Sequence, residues 1–297
     1  MNTFTKSAVA VAALAVSSVA SAAPMKLDLT NLGGNLHDSS FFFMGNNIPV
    51  TPVDANFITG SFTEFGFSQL FATSVYDFSD GSLFGSFYDT NIPSELTFAG
   101  IPTQGLVMPN CVAGQCDIDA LSPLAPPVDS DSEGFLRSWD LRVEYHFDGV
   151  LTPTGPSYTG GYFNVYFNSF IDNSYDQLVI AGALTGSTIQ AANLDLFFNI
   201  TYAKDGFLKI FNGVEYVDAG QAIAGGAVPT LKLDTNVNPP IPTPDQMKFV
   251  VDGNGNLNAI RQTTLDGSVT ASIPEPSSIA MLGLGLLGLG FAARRKA

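Results

Sequence analysis

Trp139, Leu141, Val143, Tyr145 and Phe147 alternate one for one with Asp140, Arg142, Glu144 and His146. Successive side chains of an extended chain point to opposite sides, so this run predicts a strand with one buried and one wet face. The pattern recurs. Phe163, Val165 and Phe167 alternate with Tyr162, Asn164, Tyr166 and Asn168. Leu194, Leu196, Phe198, Ile200 and Tyr202 alternate with Asp195, Asn199 and Thr201, broken only by Phe197. Asp-Gly or Asn-Gly pairs at 80–81, 148–149, 205–206, 212–213, 252–253 and 266–267 supply the positive φ that tight hairpins need. Lys204-Asp205-Gly206-Phe207, lying between two such strands, is expected to be a hairpin. A short helical turn is expected at most near Thr185–Ala192, because no segment sustains a 3.6-residue period with caps. The expected fold class is all-β: an antiparallel β-sandwich or barrel-like body. Two proline-rich stretches, Ser122–Val128 and Asn238–Pro244, are long loops or boundaries. A single β-rich body over 24–272 is favoured.

Composition narrows the function. Only 13% of the residues are charged, and 24 Phe and 9 Tyr are present. Such a chain has apolar surface enough to offset the entropy of ordering, which excludes wholesale disorder. The charge is acidic, with 12 Lys and Arg against 27 Asp and Glu. Four of the cations (Lys6, Arg294, Arg295 and Lys296) and one acid, Glu275, lie in the terminal segments, so the body is more acidic than the whole chain. Nucleic-acid binding is excluded as a working expectation, since phosphates must be neutralised by Lys and Arg. Anionic polysaccharide would be repelled unless a divalent cation bridged it.

Both ends carry addresses. Lys6, the apolar run Ala8–Val16 and the small residues Ala20 and Ala22 form a signal-peptide pattern over 1–22. The apolar run is too short to anchor the chain, since a span needs about 20 apolar residues. At the other end, 273–297 contains Pro274-Glu275-Pro276, then the uncharged Ser277–Ala293, then Arg294-Arg295-Lys296. As a helix, the middle part would be about 25 Å long, a transmembrane-type segment. Positive residues beside a span stay cytoplasmic, which leaves the body across the membrane and agrees with the signal peptide. Within the apolar run, Gly283, Gly285 and Gly288 match a dinucleotide fingerprint in spacing, but the strand–turn–helix context is missing.

This three-part tail resembles the PEP-CTERM sorting signal of exopolysaccharide-producing Gram-negative bacteria. The resemblance rests on Pro274, Glu275, Pro276, Arg294 and Arg295 and covers only the tail. It implies recognition by an exosortase-type membrane enzyme, cleavage near Pro-Glu-Pro, and passage from the inner membrane to the cell surface or medium. It assigns an address and leaves the activity of the body open.

Within the body, Cys111 and Cys116 are expected to form a small-loop disulfide in an oxidising compartment, worth about 2 kcal/mol. The run from Asp129 to Asp140 places Asp129, Asp131, Glu133 and Asp140 at the spacing of an EF-hand calcium loop, with Gly134 at its sixth position. Pro126-Pro127 precludes an incoming helix, a strand follows, and the last ligand is the shorter Asp. An acidic surface loop is therefore the alternative to calcium. No other cofactor is expected. Catalytic patterns are absent from the sequence: no G-x-S-x-G, no H-E-x-x-H, and only His37 and His146 as imidazoles. Tyr158, Tyr162 and Tyr166 are candidates for stacking on sugar rings. The expected function is a non-enzymatic structural or adhesive protein of an exopolysaccharide layer. The alternative is a secreted carbohydrate-binding module or glycan-active hydrolase.

Overall fold

The alternating segments form one continuous antiparallel wall. The computed structural model describes residues 22–30, 32, 41–43, 46–48, 58–96, 122–124, 139–169, 174–237 and 239–273. The strands, in chain order, begin with β1 (Met25–Leu27), β2 (Phe41–Phe43), β3 (Asn46–Ile48), β4 (Phe65–Asp77) and β5 (Gly85–Thr90). They continue with β6 (Ser122–Leu124), β7 (Trp139–Thr152), β8 (Gly155–Ser169), β9 (Ser174–Gln190) and β10 (Asn193–Ala203). The last are β11 (Leu208–Phe211), β12 (Tyr216–Asp218), β13 (Thr230–Asn236), β14 (Lys248–Val251) and β15 (Leu257–Ser272). Helix α1 (Ala219–Ala224) follows β12, with Asp218 as its N-cap.

Eight strands close into a barrel. The order β13-β10-β9-β8-β7-β5-β4-β15 returns on itself because β15 also pairs with β13, from Thr230 opposite Ser272 to Thr235 opposite Gly267. Of the two architectures expected, this is the barrel. Closure removes the unpaired edges that an open sheet would expose. β14 and β6 add to β15 and β7 outside the ring. The interior is filled by the apolar halves of the alternating runs: Leu141, Val143, Tyr145 and Phe147 from β7, Phe163, Val165 and Phe167 from β8, and Leu194, Leu196, Phe198 and Ile200 from β10. A small sheet, β1-β11-β12, and α1 share the core of the barrel through Met25, Leu27, Ile210 and Ala219. Ala23 N–H bonds the Ala271 carbonyl at 2.9 Å, and Leu208 is buried in the same core as the barrel side chains.

Several expectations fail for definable reasons. Lys204–Phe207 is a turn, closed by Phe207 N–H to the Lys204 carbonyl at 3.1 Å, but it makes no hairpin. The strands it joins pair elsewhere: β10 with β9 and β13, β11 with β1 and β12. Of the six Gly pairs, those at 80–81, 212–213 and 252–253 lie in turns between paired strands. The pairs at 148–149 and 266–267 lie within strands at bulges. Thr185–Ala192 is not helical. It finishes β9 and enters a turn at Ala191, whose φ of 57° does the work expected of glycine. Tyr202 is exposed rather than buried, because a bulge between Ile200 and Tyr202 shifts the alternation and buries Ala203 in its place.

Candidate functional site

The outer face of β5, β7 and β8 gathers rings and carboxylates. His146 lies opposite Tyr162 on β8 and diagonal to Tyr88 on β5. The three rings are near-parallel, with centroids 5.3 Å apart for Tyr88–His146 and 6.2 Å for His146–Tyr162. Glu95 reaches this row from a short 3-10 turn, Pro93–Glu95, that follows β5. The chain is held there by Asn91, whose side chain donates to the Val143 carbonyl at 2.7 Å and accepts from Tyr145 N–H at 2.8 Å. That side chain, together with the Asn91 N–H bonded to the Tyr145 carbonyl at 3.4 Å, extends the ladder beyond the end of β5.

Both nitrogens of His146 are committed. Nδ1 lies 2.7 Å from Glu95 Oε2, and Nε2 lies 3.2 Å from Asp148 Oδ1. Ionised carboxylates only accept, so bonding to both at once uses both nitrogens as donors, as the imidazolium form allows. Partial burial works to lower the His146 pKa, but the hydrogen bonds to Glu95 and Asp148 and their charges outweigh it and raise the pKa above its ordinary value. A ring so occupied has no nitrogen left to take a proton from a substrate. Two residues back along β7, on the same face, Glu144 accepts from Asn164 Nδ2 at 2.8 Å and from the Tyr166 hydroxyl at 3.3 Å. Burial and the Glu144 charge push the Tyr166 hydroxyl up.

The inside of the same wall holds a second polar group. Asp89, Ser74 and Arg261 occupy neighbouring positions on β5, β4 and β15, and Asp89 and Arg261 are both buried. The Tyr158 hydroxyl donates to Asp89 Oδ2. Arg261 Nη1 donates to the Pro239 carbonyl at 3.0 Å. Asp89 Oδ1 is buried without a hydrogen-bond partner. Burial pushes the Asp89 carboxyl up, against the opposing pull of Ser74, Tyr158 and the Arg261 charge. Tyr76 nearby is pushed up to about 12, by burial and by Asp89. An unsatisfied buried acceptor costs roughly 1–3 kcal/mol, and more when charged. Asp89 borders a cavity of about 100 Å³ lined otherwise mainly by Leu, Val, Phe and Tyr side chains.

The candidate tyrosines therefore divide. Tyr162 and Tyr166 are on the outer face, while Tyr158 is buried inside. A bulge causes this: Asp148 pairs with Gly160 and Gly149 with Tyr158, so Thr159 is extra and the alternation changes phase. The Tyr158 N–H, displaced from the ladder, donates to Ser187 Oγ at 2.9 Å. Asp140 is the second residue of β7, opposite Asn168. Asp129, Asp131, Glu133, Cys111 and Cys116 lie outside the described residues, as do residues 1–21 of the signal peptide expected over 1–22, the sorting residues Pro274, Glu275, Pro276, Arg294 and Arg295, and His37. Among the described residues, no group of three or more His, Cys, Asp or Glu is placed to hold a metal ion, and no helix is long and apolar enough to cross a membrane.

Sequence reasoning missed Glu95, Asp89 and Arg261. None belongs to a charge pattern in the sequence: strand pairing brings Asp89 and Arg261 together, and the turn after β5 brings Glu95 to His146.

The chain leaves the barrel at Ser272, the last residue of β15. Residues 272–296 match the PEP-CTERM protein-sorting motif. The chain carries a PEP-CTERM sorting signal. It is accordingly an exported protein, sorted at the membrane by an exosortase-type enzyme. The PEP-CTERM match covers the tail and stops at the barrel. No curated protein matches the chain.

Proposed function

We propose that this exported protein is a non-enzymatic adhesive component of an exopolysaccharide layer, and that the outer row on β5, β7 and β8 is its glycan contact. The observation that carries this reading is the Tyr88–His146–Tyr162 row, bordered by Glu95, Asp148 and Glu144. Rings offer an apolar surface to the C–H faces of a sugar, and carboxylates and Asn164 accept and donate to its hydroxyls. The acidic charge of the chain favours a neutral or cationic glycan over an anionic one. Full occupation of both His146 nitrogens supports binding over acid–base catalysis. The test is a glycan array together with the immobilised polysaccharide of the producing cells. Saturable binding at micromolar strength, lowered at least tenfold by Tyr162→Ala with the melting temperature unchanged, is the expected result. Absence of binding to every glycan overturns the contact, and turnover of any glycan overturns the non-enzymatic part.

A further inference from the structure

The chain enters and leaves the barrel at one corner. Ala23 N–H donates to the Ala271 carbonyl at 2.9 Å, and Ala23 and Ile273 both pack against the barrel core. The turn between β11 and β12 lies at the same corner. Met25 pairs with Ile210, and one step further out Phe211 N–H donates to the Pro24 carbonyl at 2.8 Å. Asn212 and Gly213 therefore come level with Ala23 and Ala22, and the turn points back along the path by which the chain arrives. Adjacent strands are about 4.8 Å apart, which puts the turn about 10 Å from the root of the tail. Asn212 N–H closes the turn on the Glu215 carbonyl at 3.0 Å. Val214 at its tip is 86% exposed, more than any other large hydrophobic side chain among the described residues.

We propose that in the precursor, before its tail is cut, this corner rests against the lipid bilayer with Val214 foremost. The inference rests on the reading of Ser277–Ala293 as a membrane span. Only Pro274, Glu275 and Pro276 separate Ile273 from that run. The four residue steps from Ile273 to Ser277 cover at most about 14 Å. The headgroup zone on each side of the hydrocarbon takes up roughly 5–7 Å of that. Charge does not draw the corner there. The body is acidic, Glu215 stands beside Val214, and an anionic surface repels both. The tether replaces attraction: it holds the tip at a high effective concentration beside the lipid, so a weak apolar contact is populated. Lys26 Nζ lies 4.4 Å from the centre of the Tyr216 ring, two residues beyond Val214. A tyrosine and a lysine suit the boundary between headgroups and acyl chains. Once the tail is cut the tether is lost, and one valine is left against the repulsion of an acidic body. The contact thus ends with processing. The far end of the barrel, where Val251 pairs with Leu257, lies at the other end of the 16-residue β15, about 50 Å away along that strand.

The test uses the full precursor, its tail intact, in vesicles of phosphatidylethanolamine and phosphatidylglycerol with and without brominated acyl chains. Bromine quenches tryptophan on contact. Val214→Trp reports on the corner, and Val251→Trp, at a position 47% exposed, reports on the far end. The unsubstituted protein supplies the Trp139 signal, which is subtracted. Flotation with the vesicles is measured first. Brominated lipid should then lower the Val214→Trp emission at least twofold and leave Val251→Trp unchanged. A Gly-Ser linker of about 20 residues inserted after Ile273, with roughly 25 Å of reach, should relieve most of that quenching. A precursor that floats but shows no quenching at Val214→Trp overturns the contact and leaves the membrane-span reading standing. A precursor that does not float overturns both. Equal quenching of the two variants overturns the orientation, and quenching untouched by the linker overturns the role of the tether. None of these outcomes bears on whether Tyr162 binds glycan.

Discussion

Phe197 and Phe198 are neighbours in sequence and identical in chemistry, and the wall of the barrel separates them. Phe198 is 4% exposed and packs its ring against Phe147 at 5.4 Å and Phe163 at 5.2 Å. Phe197 is 36% exposed on the outside. The difference teaches where stability and recognition are divided in this molecule. Inside, aromatic area is removed from water and holds the fold. Outside, aromatic area remains available to a partner. Carboxylates follow the same division: Asp89 inside is pushed up by burial, while Glu95 and Asp148 outside flank His146 and raise its pKa.

Substitution at the two phenylalanines gives the largest contrast. Phe198→Ala should cost about 3–5 kcal/mol, the transfer term of the ring plus an enlarged cavity. Phe197→Ala should stay within about 1 kcal/mol, as surface changes do. Urea melts of both variants check this, and equal losses would break the inside–outside division. Next in size is Gly161, where the wall itself is tight. Its φ is +130°, and an added Cβ would overlap the His146 carbonyl oxygen and the Phe147 Cα. Gly161→Ala should therefore cost about 2 kcal/mol or more, read from the same melts, because backbone on the partner strand cannot move aside cheaply. Gly160→Ala is the matched control, since nothing lies within 4 Å of the Cβ it would gain. Smaller again is the stability effect of Tyr162→Ala, expected within about 0.5 kcal/mol, although glycan binding should fall. A large loss of stability there would show that the outer row holds the fold and is not free for a partner.

Much of this division was legible in the sequence. The alternation around Leu141–Phe147 and Phe163–Phe167 assigned inner and outer faces correctly, because a buried face enforces period two along each strand. It failed at Tyr158 and Tyr202, where bulges change the phase without any signature in hydrophobicity. The closure of the ring was not legible, since the pairing of β13 with β15 joins residues that only the completed sheet brings together. Gly pairs marked places of positive φ or close approach but did not say which were turns: an added Cβ at Gly149 would meet the Phe87 ring at 2.6 Å, in mid-strand. Of the candidate site, Tyr162 and Tyr166 were visible as outward residues. Glu95 and Asp89 were not, because a single acid carries no periodicity. The sorting tail was the reverse case, legible without any fold, since its enzyme reads a linear order of proline, apolar run and arginine.

The smallest predicted effect concerns the outer row and acts through pH. The His146 pKa is raised in the folded protein, since its bonds to Glu95 and Asp148 outweigh the opposing effect of burial. A group whose folded pKa exceeds its unfolded value of about 6.5 binds more protons folded than unfolded in the window between the two. Its stabilising contribution is fully present below the unfolded pKa and is lost as pH rises through the folded one. The melting temperature should therefore fall as pH rises from about 6.5 through the folded pKa of His146, and this contribution is gone above it. His146→Gln should flatten that slope, and Glu95→Gln should reduce it, because the nearer of the two carboxylate partners is then gone. The inner carboxylate provides the contrast. Asp89 is also raised, but from a carboxyl's ordinary range, so its own linkage begins in acid, where the unfolded carboxyl ionises before the folded one. Asp89→Asn should thus alter the acid side of the profile and His146→Gln the window that begins near the ordinary imidazole pKa of about 6.5. If His146→Gln left that slope unchanged, a protonated His146 between two carboxylates would contribute nothing to the fold. The outer row would then be a surface held in place by β7 and Asn91 alone.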